Sequence, residues 1–244
     1  MSTRIVLVDT KHPGNIGASA RAMKNMGLHE LRLVRPKVFP HEEATARASG
    51  ADDILQNARV FERLEDAIAD CGLVVGTSSR QRHLPWDIVE PRECAAMIAR
   101  DARAGHVAVV FGSERYGLTN QELARCHMLV TIPTSADYSS LNIAMAVQVV
   151  AYEIWLATRP GAPAPLPREV PLATAEEMTR LYAHIEEVLD QIGFHDRTGG
   201  GHLMARIRRL FNRAQLDQNE MNILRGILTA VQARRRPAGK SVAR

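Results

Sequence analysis

Five short apolar runs, each followed by a turn and a helical stretch, constrain the fold of this chain more than any other feature. They are IVLV (5–8), LRLV (31–34), LVVGT (73–77), HVAVVFG (106–112) and MLVTIP (128–133). Mostly apolar runs of this length read as strands buried on both faces, as in parallel sheets covered by helices. The stretches between them carry helix signals. IGASARAMKNMG opens after Pro-Gly-Asn and closes at Gly27, and residues 42–70 are mostly helical in pattern. PRECAAMIARDARAG has Pro91 in its first turn and Gly105 as its stop, and a short helix opens near Thr119. SLNIAMAVQVVAYEIWLA (140–157) is a long apolar helix. This alternation predicts an α/β domain with a mostly parallel sheet over residues 1–158.

RPGAPAPLPREVP (159–171) then breaks the pattern. Five prolines in thirteen residues continue neither a helix nor a central strand, so the segment is read as a linker. Only helical patterns follow, at 174–192, about 201–214 and 217–235, which predicts a small all-α module over 172–236. Residues 237–244 are expected to be a disordered tail. The linker is expected to let the module reach a distant part of its partner, and the first 158 residues to fold without it.

Charge follows the same division. The net charge of the 244 residues is +4, and residues 1–160 balance 18 basic against 18 acidic side chains. Residues 161–196 hold 2 basic and 7 acidic side chains, and residues 197–244 hold 11 basic and 2 acidic. A basic end on a neutral body suits a docked polyanion. The alternative is a solvated, arginine-rich helix face. In GHLMARIRRLFNRA, Leu203, Ile207, Leu210 and Phe211 recur at helical spacing, which leaves Arg206, Arg208, Arg209 and Arg213 for solvent or RNA.

Several classes are not signalled. No apolar run reaches the length of a membrane span, and the first is too short for a secretory leader, so a soluble cytoplasmic protein is expected. Cys71, Cys94 and Cys126 are scattered without a CxxC pair, and no HExxH occurs, so neither a disulfide framework nor a metal site is expected. No GxGxxG follows a strand and no GxxxxGK[ST] is present.

Three loops at strand ends hold the informative residues. In HPGNIGASARAMKNMG (12–27), Pro13, Gly14 and Gly17 allow a tight turn, Asn15 is read as an N-cap, and Arg21 projects from the second turn. Arg21 either holds a phosphate near the turn or is an ordinary solvated arginine. In VVFGSERYGLTNQEL (109–123), a strand ends in Gly112-Ser113-Glu114 and reaches Gly117, which allows close approach of a ligand to the backbone. The alternative is a plain strand-to-helix loop capped by Thr119. In TIPTSADYSSLNIAMAVQVVAYE (131–153), a strand stops at Pro133, and Ser139, Ser140 and Asn142 cluster at a helix start. Capping accounts for one of them but not for all three.

In this order and spacing, the three segments resemble the motifs of the SpoU branch of the SPOUT methyltransferases. RIVLVDTKHPGNIGASARAMKNMGL, LVVGTSSRQRHLPW, FGSERYGLTNQEL, YSSLNIAMAVQVVAYE and the tail GHLMARIRRLFNRAQLDQNEMNILRGIL are similar to the TrmJ family of tRNA 2′-O-methyltransferases. The resemblance implies an α/β SPOUT domain whose carboxyl end is tied in a trefoil knot. It implies that S-adenosylmethionine binds there and that the working unit is a homodimer, with the site completed across the interface. It also implies that the cofactor is held by Thr77, Ser78, Ser79, Gly112, Ile132, Ser139, Ser140 and Leu141. Asn15, Arg21, Glu114, Ser140 and Asn142 fall on positions associated with catalysis and site integrity, and Arg80 and Arg82, which follow the cofactor loop, are expected to contact the RNA backbone. The implied acceptor is cytidine or uridine at position 32 of the tRNA anticodon loop. An rRNA 2′-O-methyltransferase and a non-catalytic RNA-binding protein of the same fold are the competing readings.

A guanidinium stays protonated at ordinary pH, so Arg21 is a poor base. It is read instead as binding the adjacent phosphate and stabilising the developing oxyanion, with Ser140 and Asn142 orienting the reacting groups. The helix 140–157 is apolar on more faces than one sheet covers. Part of it, with the helix after Asn15, is expected to form the two-fold interface.

Overall fold

A computed structural model of the chain describes residues 2–78, 87–102, 105–162, 168–194 and 202–235. Ser79, Arg80 and Arg82, residues 163–167 of the proline-rich segment and the tail from residue 236 lie outside the described residues. The first third of the chain runs β1 (Thr3–Val8), α1 (Pro13–Asn25), β2 (Glu30–Val34), α2 (Glu42–Ala48), α3 (Asp52–Gln56), β3 (Arg59–Phe61), α4 (Leu64–Ile68) and β4 (Cys71–Thr77). It continues with β5 (Ile88–Val89), α5 (Pro91–Asp101), β6 (His106–Phe111), α6 (Asn120–Leu123), β7 (Met128–Val130) and α7 (Ile143–Thr158). Three helices follow: α8 (Ala175–Ile192), α9 (Leu203–Ala214) and α10 (Gln218–Arg235).

All seven described strands join one parallel sheet in the order β3-β2-β1-β6-β4-β7-β5. Successive strand side chains point to opposite faces. Ile5 and Leu7 therefore enter the core beneath α1, α2, α5 and α7, whereas Val6 and Val8 enter the core beneath α4 and α6. Gly17 shows how tightly the first layer packs. A Cβ there would lie 1.9 Å from the Ala44 carbonyl oxygen, so any larger residue would force α1 away from α2.

The α/β class agrees with the sequence reading, and several elements correct it. Seven strands are present rather than five, because β3 and β5 are short edge strands. Residues 42–70 form three short helices around β3 and not one helical region. The last apolar strand stops at Val130, before Ile132-Pro133, and α7 begins at Ile143 rather than at residue 140.

The helical module is seated on the α/β unit and does not hang from a free tether. Leu172 lies against Gly72 and belongs to the main core, and Ala175 packs on the second sheet face. The Glu176 N–H donates to the Ala69 carbonyl at 2.9 Å. The buried Asn212 amide donates to the Ala124 and Cys126 carbonyls at 3.2 and 3.1 Å. Arg168, at the end of the proline-rich segment, pairs with Asp101 at 2.7 Å and donates to Gln215 at 2.8 Å. The module therefore completes the cover of the second sheet face, and cutting the chain after Thr158 would expose apolar surface that the first 158 residues do not cover.

A buried charge network holds the amino ends of the strands. Arg4, 4% exposed, pairs with Glu30 at 2.8 Å and with Asp70, which Arg32 also reaches at 3.2 Å. Burial lifts the Asp70 carboxyl, but hydrogen bonds from Arg4 and Arg32 outweigh it and hold the group below its ordinary range. Glu30 is lowered in the same way: burial is outweighed by hydrogen bonds from Ser2 and Arg4. A lowered carboxyl contributes stability that is complete above its unfolded value of about 4 and is lost as pH falls through the folded value. Asp70→Asn is expected to cost about 1–2 kcal/mol at pH 7, since the Arg4 side is buried and the carboxyl is half exposed to solvent screening. Urea titrations at pH 7 and pH 3.5 should show the gap between wild type and variant shrinking at the lower pH. An equal gap at both would mean that the carboxylate charge does not carry the effect.

Candidate active site

Three loops meet where the strands end, which is where open parallel sheets bind ligands. The end of β4 is fixed first. Thr77 Oγ1 donates to the Val110 carbonyl at 3.1 Å, the Ser78 N–H donates to the Val130 carbonyl at 3.1 Å, and Thr131 Oγ1 donates to the Ser78 carbonyl at 2.8 Å. The loop after β6 folds back on itself, with the Gly117 N–H donating to the Ser113 carbonyl at 2.8 Å. Gly117 has φ +66°, in the left-handed region open to glycine. A Cβ on Gly112 would lie 2.1 Å from the Gly117 carbonyl carbon and 2.2 Å from the Leu118 nitrogen, so only glycine fits. The third loop, which leads into α7, closes the space.

Between these loops lies a cavity of about 320 Å³. Thr77, Ser78, Gly112, Ile132, Ser139, Ser140 and Leu141 all line it, so the structure brings together every described residue expected to hold the cofactor. Leu118, Val130, Ile132 and Ile143 supply apolar wall, and Ser113, Glu114, Ser139 and Ser140 supply polar groups.

The residues expected to carry chemistry divide into two groups. Asn15, Glu114 and Asn142 form one hydrogen-bonded chain that ties the first turn of α1 to the loop after β6 and to the start of α7. The Glu114 carboxylate accepts from the Lys11 N–H at 3.1 Å, from the His12 N–H at 3.3 Å and from Asn15 Nδ2 at 3.0 Å. Asn15 Oδ1 accepts from Asn142 Nδ2 at 3.0 Å, and Asn142 Oδ1 caps α7 by accepting from the Ala144 N–H at 2.8 Å. Burial raises the Glu114 carboxyl, but the Asn15 amide and the backbone N–H groups around it outweigh burial and keep it ionised below its ordinary range. A carboxylate committed to three donors is a brace and a poor proton acceptor.

Asn15 also corrects the sequence reading. It sits inside the first turn of α1, whose N-cap is His12, so its side chain braces the site and does not cap the helix. The sequence reading missed Lys11, His12 and Thr131 as parts of this frame. Two of them act through backbone N–H groups, which side-chain identity does not reveal.

Arg21 stands apart. It is exposed on α1, lines no part of the cavity, and has no hydrogen bond or ion pair among the described residues. In the helical module, Arg206 and Arg213 are exposed and Arg208 and Arg209 half-buried, and none pairs with a carboxylate among the described residues. The described residues hold no group of three or more His, Cys, Asp and Glu side chains able to bind a metal, and no described helix is long and apolar enough to cross a membrane.

A parallel sheet with a cavity between loops at its carboxyl edge is the ligand-binding frame of an open α/β protein. Residues 2–152 match the model of the SpoU rRNA methylase family, and the chain belongs to that family. Residues 176–241 match the model of the C-terminal domain of tRNA methyltransferase TrmJ, which places the chain with the TrmJ members. A Pseudomonas aeruginosa protein named tRNA (cytidine/uridine/adenosine-2′-O-)-methyltransferase TrmJ is 51% identical over 240 residues, covering 94% of this chain and 93% of its own. The Yersinia enterocolitica tRNA (cytidine/uridine-2′-O-)-methyltransferase TrmJ is 50% identical over 233 residues, covering 94% and 91%. The crystal structure of TrmJ from Z. mobilis ZM4 superposes with a TM-score of 0.83 at 35% identity, covering 95% of this chain and 100% of that one.

Proposed function

We propose that this chain transfers a methyl group from S-adenosylmethionine to a ribose 2′-hydroxyl of tRNA, with cytidine or uridine at anticodon-loop position 32 as the acceptor. The observation that carries the reading is the cavity itself, lined by the residues that the resemblance assigns to the cofactor and built on a chain whose relatives bear tRNA 2′-O-methyltransferase names. Its volume lies at the lower end of small-molecule sites, roughly 300–1,000 Å³. Its mix of apolar wall and serine hydroxyls suits a nucleoside joined to an amino acid.

The donor supplies a methyl group on a sulfonium. The chain supplies position and electrostatics. Gly112 and Ser139–Leu141 would hold the donor, while the Asn15–Glu114–Asn142 brace fixes the loop after β6 and the start of α7 against α1. Ser140 orients the reacting hydroxyl or the donor's amino-acid end. Arg21 binds the phosphate beside the target ribose and stabilises the oxyanion that develops on the 2′-oxygen. The proton leaves to that phosphate or to water.

Arg21 lies outside its own chain's cavity, and this supports a homodimer in which Arg21 of one protomer serves its partner's site. The strand order supports a trefoil knot at the carboxyl end of the domain. β7 lies between β4 and β5 in the sheet, and α7 packs against α1 and α5. We assign the activity to the cytoplasm, where tRNA is the available acceptor. The test is transfer of labelled methyl to a tRNA and to the same tRNA with 2′-deoxyribose at the target. The ribose form should accept label and the deoxy form none. Label on the deoxy form, or on rRNA in preference to tRNA, would reject the reading.

A further inference from the structure

The helical module meets the α/β unit along a seam that holds two clefts outside the cofactor cavity. One, of about 500 Å³, runs beneath α8 over an apolar floor that includes Ile68, Ala69, Met178 and Tyr182. The other, of about 600 Å³, opens at the carboxyl edge of the sheet beside Asp9, Arg35 and Thr119. Arg125 and Arg208 line both.

The charges in these clefts are unevenly matched. Arg35 pairs with Asp9 and Glu122, both at 2.9 Å. Arg125 pairs with Glu65 at 2.8 Å, and Arg63 reaches the same carboxylate at 3.7 Å. Glu176, in the first cleft, pairs with Arg180 at 2.7 Å. Asp66, in the first cleft, and Arg208, in both, have no ion pair among the described residues. The Arg208 guanidinium lies over the Tyr182 ring, 4.6 Å from the centroid, and its N–H donors meet no acceptor among the described residues. Burial and the nearby charge of Arg125 pull it below the ordinary guanidinium range. A half-buried guanidinium over an aromatic ring is restricted in orientation, and Arg208 lines both clefts. The chemistry that satisfies it is an oxyanion able to accept from a planar fork of donors, and phosphate is the best match.

The position favours a phosphate that belongs to a long strand. Thr119 and Gln121, on the wall of the open cleft, directly follow the Ser113–Leu118 loop that lines the cofactor cavity. A phosphodiester seated there therefore lies on a path that passes the site. We propose that Arg208, supported by Arg125, clamps one backbone phosphate of the RNA substrate at the seam between the helical module and the α/β unit. The inference rests on the proposed function and adds to it a defined second anchor.

The test uses the full chain and a tRNA transcript, with affinity measured between 50 and 200 mM salt. Each neutralised phosphate adds about one to the slope of log affinity against log salt. Arg208→Gln should weaken binding about tenfold at the lower salt and reduce the slope by about one. Arg208→Lys keeps the charge but loses the fork, so it should retain the slope while losing part of the affinity. S-adenosylmethionine affinity should be unchanged in both. Arg208→Lys losing as much slope as Arg208→Gln would mean that Arg208 only packs the seam. Inorganic phosphate raising the melting temperature of wild type but not of Arg208→Gln, with tRNA binding equal in the two, would make the seam a small-anion site. Either result overturns the proposal. A wild type that binds no tRNA would sink both the functional reading and this inference. A wild type that binds tRNA no better than Arg208→Gln, with equal slope, would sink only the inference.

Discussion

A mixed dimer of two inactive chains, one carrying Arg21→Ala and the other Gly112→Val, is expected to regain about half of wild-type methyl transfer. Each change should be near-silencing in a uniform dimer. Removing one group that stabilises developing charge typically costs about 10²–10³ in rate. A valine at position 112 would drive its Cβ into the backbone of Gly117 and Leu118, which form the cavity wall. In the mixed dimer, the Arg21→Ala chain keeps an intact cavity and receives Arg21 from the Gly112→Val chain, so one of the two sites is whole. If Arg21 served its own cavity, neither site would be whole and no activity would return. Ile132→Trp fills the cavity with a side chain and leaves the Gly112 turn intact, so it serves as a second cavity-blocked chain should Gly112→Val fold poorly. Doubly tagged, co-expressed dimers and a labelled-methyl assay decide the matter. Wild-type turnover in uniform Arg21→Ala would remove that residue from the mechanism.

Met145→Arg is expected to convert the protein to monomers and to abolish methyl transfer while leaving the fold intact. The face of α7 turned away from the sheet carries Met145, Val149, Tyr152 and Trp155, which are 62, 37, 47 and 39% exposed, and Leu141 extends the line. Large side chains at this helical spacing form one apolar stripe, and an isolated chain gains nothing by showing it to water. Met145 is the most exposed of the four on the helix, so arginine there costs a lone chain little. In a two-fold interface, each copy would bury a second, unpaired charge. Sedimentation should give a monomer, and the melting temperature measured at low concentration should match wild type. A dimer that persists and remains active would show that this stripe faces something else.

The sequence showed the sheet wherever burial imprinted it. β1, β4 and β6 run through the centre, and their residues had to be apolar on both faces, so IVLV, LVVGT and HVAVVF stood out. β3 is RVF and β5 is IV, both at sheet edges with solvent on one side, where too few residues are constrained to leave a pattern. The loops after β6 and before α7 stood out because their glycines and serines cluster, whereas Thr77 and Ser78 were assigned only through the resemblance; all of them line one cavity. Asn15 was misread because an asparagine near a helix start is most often a cap, and only the fold shows Glu114 and Asn142 on either side of it. The seating of the helical module left no local trace. It rests on Leu172 against Gly72 and on Asn212 donating to two carbonyls more than 80 residues away in sequence. Five prolines between the two parts looked like a free tether for the same reason: nothing in the segment itself records what Arg168 meets.

The strand order also sets a timetable for synthesis. β1, β2 and β3 pair with one another in the order in which they leave the ribosome, but β4 emerges with neither of its neighbours yet made. Its partners are β6, about 30 residues later, and β7, about 50 residues later; at roughly 5–20 residues per second that is a wait of about two to ten seconds. Through that interval Leu73, Val74 and Val75 form an apolar strand with two open edges, the condition in which nascent chains pair wrongly with one another. Slow codons placed between β4 and β6 should therefore lower the yield of soluble protein more than the same codons placed after α7.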